Sequence, residues 1–169
     1  MSETLIKCLL AFALGNVMGG QLVGRLRGGV DLRRVGSGNL GATNALRTQG
    51  AGFAAAVLAI DIGKGVVAVT LVPRLPWPFD SSFVLPLTWL CYLCGIAAAV
   101  GHCYPPLLGF RGGKGVAVLA GVYGALMPGQ FACMLAVFLL VLLATGYASV
   151  STLSAAAVAV LFALGSPQQ

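Results

Sequence analysis

Between two long apolar stretches the chain reads Val35-Gly36-Ser37-Gly38-Asn39-Leu40-Gly41-Ala42-Thr43-Asn44-Ala45-Leu46-Arg47. Gly36, Gly38 and Gly41 let a ligand approach the backbone, and clustered N–H groups beside a cation suit an anion. Ser37, Asn39, Thr43 and Asn44 add hydrogen-bonding groups, and Arg47 can hold a phosphate through two parallel bonds. Thr43 or Asn44 also caps the helix that follows. A cap needs one polar residue, so capping accounts for only part of the cluster. Far downstream, Gly112-Gly113-Lys114-Gly115 repeats the theme and opens an apolar helix, whose N-terminus attracts anions. Headgroup contact and topology are the plainer reading of Arg111 and Lys114. The P-loop spacing is absent, because Val116 follows Gly115, so ATP binding has no support. The chemistry expected is the handling of phosphorylated molecules at a bilayer surface.

Other candidates are few. Asp61 and Lys64 lie three apart on one helical face, deep in an apolar run. Such charges face a cavity or each other. Either they form an internal ion pair that aligns helices, or Lys64 reaches a substrate phosphate. His102 is the sole histidine, a candidate general base or a cap for helix carbonyls. Ser149 and Thr152 either line a site or pack closely against a neighbouring helix. No Ser/His/Asp triad is visible, and with only Glu3, Asp31, Asp61 and Asp80 as acids, an enzyme built this way needs a substrate that arrives activated. Cys91-Tyr92-Leu93-Cys94 has redox spacing but lies in an apolar helix without a second pair, so the cysteines are read as packing residues. No metal site and no cofactor are expected.

These groups must be positioned by membrane helices. The chain is 59% hydrophobic and 8% charged, against roughly 25% charged in soluble domains. It cannot cover a water-exposed surface. The reading is an all-α, polytopic membrane helix bundle with about six spans: 5–24, 49–72, 83–101, 115–127, 130–146 and a last one ending near 165. The N-terminal run lacks a clean cleavage site and is kept as the first span. Residues 25–48 form the first polar loop, Pro73, Pro76 and Pro78 to Asp80 mark the next, and 101–115 the third. The net charge is +6, and of the ten basic residues seven, Arg25, Arg27, Arg33, Arg34, Arg47, Arg111 and Lys114, surround loops one and three. That is the positive-inside pattern, which excludes a nucleic-acid surface and puts both loops in the cytoplasm. By parity of six spans, the 146–152 linker joins them, and three polar motifs converge on one site. One domain covers 1–169.

At these residues the sequence resembles the bacterial acyl-phosphate:glycerol-3-phosphate acyltransferases (PlsY-type). The resemblance spans nearly the whole chain: Gly36 to Asn44 with Arg47, then Asp61-Ile62-Gly63-Lys64-Gly65, then Gly101-His102 through Tyr104-Pro105 to Gly112-Gly113-Lys114-Gly115-Val116-Ala117, and more weakly Tyr147 and Ser149. It implies transfer of a fatty acyl group from acyl phosphate to the 1-hydroxyl of sn-glycerol 3-phosphate, giving lysophosphatidic acid and phosphate in the bacterial inner membrane. The implied catalytic set is Ser37, Arg47, Lys114 and His102. Gly36, Gly38, Asn39, Gly41, Thr43, Asn44, Lys64, Gly112, Gly113 and Ser149 would bind substrate. The partners implied are the two substrates, membrane lipid and other lipid-synthesis enzymes, and not nucleic acid. Family members usually have seven helices, and this domain is expected to lack the last one, a polar His/Arg/Asn-bearing segment. Ala144-Thr145-Gly146 also stand where the family often has basic residues. A phosphometabolite transporter and an inactive scaffolding relative are the alternatives.

Overall fold

A computed structural model describes residues 3–77 and 85–165. Pro78, Asp80 and the polar tail from Ser166 lie outside the described residues. Among those described there are eight α-helices and no strand: α1 (Glu3–Gly15), α2 (Gly19–Leu26), α3 (Ala42–Gln49), α4 (Ala51–Thr70), α5 (Leu87–Cys103), α6 (Val116–Leu126), α7 (Pro128–Thr145) and α8 (Ala148–Gly165). Residues cluster into two compact units, Met1–Ala125 and Leu126–Gln169.

Each of the six expected apolar segments holds helix among the described residues, but they do not all cross a membrane alone. α4, α5, α7 and α8 are long and apolar enough to span. The first segment is a bent pair, with α1 and α2 diverging by 43°. α6 has 11 residues, which is roughly 16 Å of rise against a hydrocarbon core of about 30 Å. Against the expectation of about six spans, the described residues hold four helices long and apolar enough to cross, or five spans with the bent pair counted as one. Parity from six full crossings no longer fixes the side of the 146–152 linker. Two further boundaries differ. The second half of loop one is helix α3, entered through Gly41 as its N-cap. Gly101 and His102 belong to the last turn of α5 rather than to a loop.

In the first unit, α5 packs against α1 and α4, while α4 also receives α2 and α3. Lipid gives no hydrophobic drive between helices, so close backbone approach does the work. Two reciprocal glycine contacts achieve it. A Cβ on Gly15 would overlap the Ala98 backbone, and one on Gly101 the Phe12 backbone. Gly65 and Gly121 repeat this between α4 and α6, against Val118 and Ile62. Lys7, only 4% exposed, ties the start of α1 to the turn after α4 by donating to Glu3 at 2.6 Å and to the Pro73 carbonyl at 2.8 Å. The second unit is the pair α7 and α8, joined through Gly146 in a left-handed conformation whose N–H closes α7 on the Leu142 carbonyl.

Candidate active site

Loop one is pinned at both ends by apolar anchors. Leu32 and Leu40 are fully buried in a cluster with Met18, Val23, Phe53 and Val57. Between them, Gly36 and Gly38 take positive φ, at 58° and 72°, a region that costs other residues. Asn44, on the first turn of α3 and 3% exposed, organises the segment from inside. Its Oδ1 accepts from the Ser37 N–H at 2.9 Å. Its Nδ2 donates to the carbonyls of Leu32 (3.1 Å), Val35 (3.1 Å) and Asn39 (2.9 Å). A Cβ on Gly36 would overlap Asn44 Oδ1. Asn44 was expected to contact substrate, but its amide is spent on the loop. Asn39 likewise turns its Oδ1 to the Gly41 N–H at 2.8 Å.

Loop three is built on the end of α5. The terminal carbonyls of a helix lack partners within it. Here the N–H groups of Gly113 and Gly112 supply them, donating to the carbonyls of His102 and Cys103, both at 3.1 Å. Both glycines sit where a side chain has no room. A Cβ on Gly112 would overlap the His102 carbonyl, and one on Gly113 the His102 imidazole. Ahead of them, Gly109 and Phe110 take left-handed conformations, with φ of 63° and 61°.

The two loops face each other across a cleft of about 750 Å³. Four expected residues line it: Ser37, Gly38, Asn39 and Gly112. The remaining lining is Asp31, Arg33, Arg34, Leu108, Gly109 and Arg111. Arg33 is compensated, because Asp31 accepts Nε at 2.9 Å and Nη2 at 2.8 Å in a bidentate pair. That guanidinium, with the Arg33 N–H, holds the Asp31 carboxyl well below the usual carboxylate range, at about 2. Arg34 is 3.7 Å from the same carboxylate and its side chain is 87% exposed. Arg34 and Arg111 therefore dominate the free charge of the cleft. The Asp31-x-Arg33 spacing was the signal that could have marked this wall, since an Asp side chain turns back on the backbone two residues on.

The other expected residues fall into three places. Arg47 and Thr43, four apart on α3, share an exposed face outside the lining, and Lys114 is exposed near the end of loop three, also outside the lining. Neither cation has a hydrogen bond or ion pair among the described residues. His102 and Lys64 are buried, 2% and 5% exposed, with Lys64 turned inward to Asp61 at 2.9 Å. Asp61 and Lys64 form an internal ion pair. Ser149 is exposed in the first turn of α8, in the second unit.

Fold and cleft together describe a multi-pass membrane protein with a cationic, glycine-walled cleft. The family profile described as glycerol-3-phosphate acyltransferase matches residues 5–167. A glycerol-3-phosphate acyltransferase of Bacillus velezensis is 39% identical over 156 residues, 92% of this chain and 76% of the relative. The enzyme of the same description from Geobacillus kaustophilus is 42% identical over 159 residues, 94% of this chain and 76% of its own. Among solved structures, the glycerol 3-phosphate form of PlsY, an integral membrane glycerol 3-phosphate acyltransferase, aligns with a TM-score of 0.78 at 34% identity. The alignment covers 97% of this chain and 78% of PlsY. Its lysophosphatidic acid form aligns with a TM-score of 0.76 at 33% identity. The chain belongs to the glycerol-3-phosphate acyltransferase family.

Proposed function

We propose that this protein transfers a fatty acyl group from acyl phosphate to the 1-hydroxyl of sn-glycerol 3-phosphate, working at the cytoplasmic face of a bacterial inner membrane. The observation that carries the reading is the cleft in which Ser37, Gly38 and Asn39 meet Gly109 and Gly112, with Arg34 and Arg111 on its walls. Its substrates would be two phosphorylated molecules, one of which keeps its chain in lipid. Solved PlsY forms with glycerol 3-phosphate and with lysophosphatidic acid support this pairing of acceptor and product. The cytoplasmic assignment is supported by the cations gathered around loops one and three.

Acyl phosphate already carries a good leaving group, so positioning and anion stabilisation suffice. The acceptor hydroxyl oxygen bonds to the acyl carbon, the bond from that carbon to the phosphate oxygen breaks, and the hydroxyl proton leaves on the phosphate. Cations and loop N–H groups neutralise the charge that collects on the departing oxygen. Ser37 lies on the cleft wall to orient the acceptor. Arg47 and Lys114 would complete the phosphate contacts from the rims of the two loops. Purified protein incubated with acyl phosphate and glycerol 3-phosphate should form lysophosphatidic acid. Lys114→Ala and Arg47→Ala should each abolish product while the protein stays folded in detergent, and near-normal turnover in both would overturn these roles. Glycerol 3-phosphate counterflow without product would point to a transporter instead.

A further inference from the structure

The broken first span poses a problem that α4 solves. A break strips partners from the carbonyls ending α1 and from the N–H groups starting α2. Lipid offers no water to replace them. Asp61 and Lys64, one turn apart on α4, fill both roles. Lys64 Nζ donates to the carbonyls of Gly15 at 3.0 Å and Val17 at 2.6 Å. Asp61 Oδ1 accepts from the Gly19 N–H at 3.2 Å. The cation thus meets the negative end of one helix and the anion the positive end of the next. Gly19 makes the approach possible, since a Cβ there would stand 2.8 Å from the Val57 carbonyl oxygen.

Lys64 has one partner more. Its Nζ lies 2.7 Å from His102 Nδ1. An ammonium group only donates, so Nδ1 must accept, and a neutral ring then carries its proton on Nε2. The competing arrangement, Nδ1–H donating to Asp61 Oδ1, would span 3.6 Å, too long for a hydrogen bond. The Nε2 edge faces Gly113, the residue whose missing side chain makes room for it. We propose that Asp61 and Lys64 form a clip that closes the broken span and locks His102 in the Nε2–H tautomer, aimed at the glycine loop of the cleft. Lys64 is thereby a positioning residue acting through His102. The benefit to acyl transfer rests on the function proposed above; the tautomer does not.

His102 is the only histidine in the chain, so labelling with 15N-histidine, on protein carrying a histidine-free affinity tag, reports this ring alone. Two-bond proton–nitrogen spectra of the full chain in detergent should give a bare Nδ1 and a protonated Nε2 at neutral pH. Lys64→Met should turn this into a mixture of tautomers. It should also lower kcat about tenfold or more, with KM for glycerol 3-phosphate changed less than about threefold. A wild-type ring protonated at Nδ1, or a tautomer unmoved by Lys64→Met, overturns the proposal, as does a loss carried mainly by KM. If Lys64→Met strands the Asp61 carboxylate and fails to fold, Asp61→Asn combined with Lys64→Met removes the buried charge and carries the same readout. Wild-type protein without acyl transfer would overturn the functional reading while leaving the spectral result standing.

Discussion

The two glycine-rich loops reach the same cleft by opposite means. Loop one is held from within by a single side chain: the Asn44 amide serves one N–H and three carbonyls. Loop three is held by its own backbone, with Gly112 and Gly113 donating to the end of α5 and packed directly onto His102 and Pro105. The first loop depends on a chemical group, the second on the absence of one. A side-chain brace can be removed cleanly, leaving buried polar atoms unpaired. A backbone brace fails only when something is added.

That contrast can be tested by substitution. The largest effect is expected from Gly113→Ala, whose new methyl overlaps the His102 imidazole. Displacing the ring or the loop by about an ångström should lower kcat/KM roughly 100-fold in the acyltransfer assay. Asn44→Ala should act first on stability. It strands the Ser37 N–H and three carbonyls, and should cost about 2–3 kcal/mol in unfolding experiments in detergent, with activity falling alongside. If Asn44→Ala unfolds no more readily than wild type while Gly113→Ala does, the assignment of braces is reversed. Arg111→Ala removes charge from the wall without touching either brace. It should raise KM for the phosphorylated substrates about tenfold and leave kcat near wild type. The smallest effect concerns Asp31, whose pKa is depressed to about 2 by its Arg33 partner. The stabilisation from a depressed carboxylate is complete above its unfolded pKa of about 4 and lost as pH falls through the folded value. Because the pair is solvated, a thermal melt should change only slightly between pH 7 and 4 on its account. Asp31→Asn should remove the small acid-dependent component below that.

Some of this was legible before any coordinates. The polar clusters at 36–47 and 112–115 were visible because hydrophilic, glycine-rich runs stand out against apolar spans. Ser37, Gly38, Asn39 and Gly112 from these clusters line the cleft, while Arg47 and Lys114 lie outside its lining. Arg33 and Arg34 fit the positive-inside bias, and Arg111 fits it together with headgroup contact, because a cation beside a span satisfies that bias whether or not it also binds. Asn44 was read as a ligand group for a similar reason: composition reveals a hydrogen-bonding side chain but not which partners it has taken. The bend after Gly15 was missed because Asn16-Val17-Met18 remains compatible with one continuous apolar helix.

The amino-acid sequence by itself determined that the chain is a polytopic membrane protein and that its polar chemistry gathers at a few glycine-rich sites. Composition and periodicity fix those matters, because lipid tolerates no unpaired backbone and few charges. Only the tertiary structure decided how Asp61 and Lys64 are used. Capping a broken helix and facing a histidine require groups 38 to 49 residues apart in sequence to meet within hydrogen-bond distance. That proximity is a property of helix packing through glycine contacts, not of any local pattern.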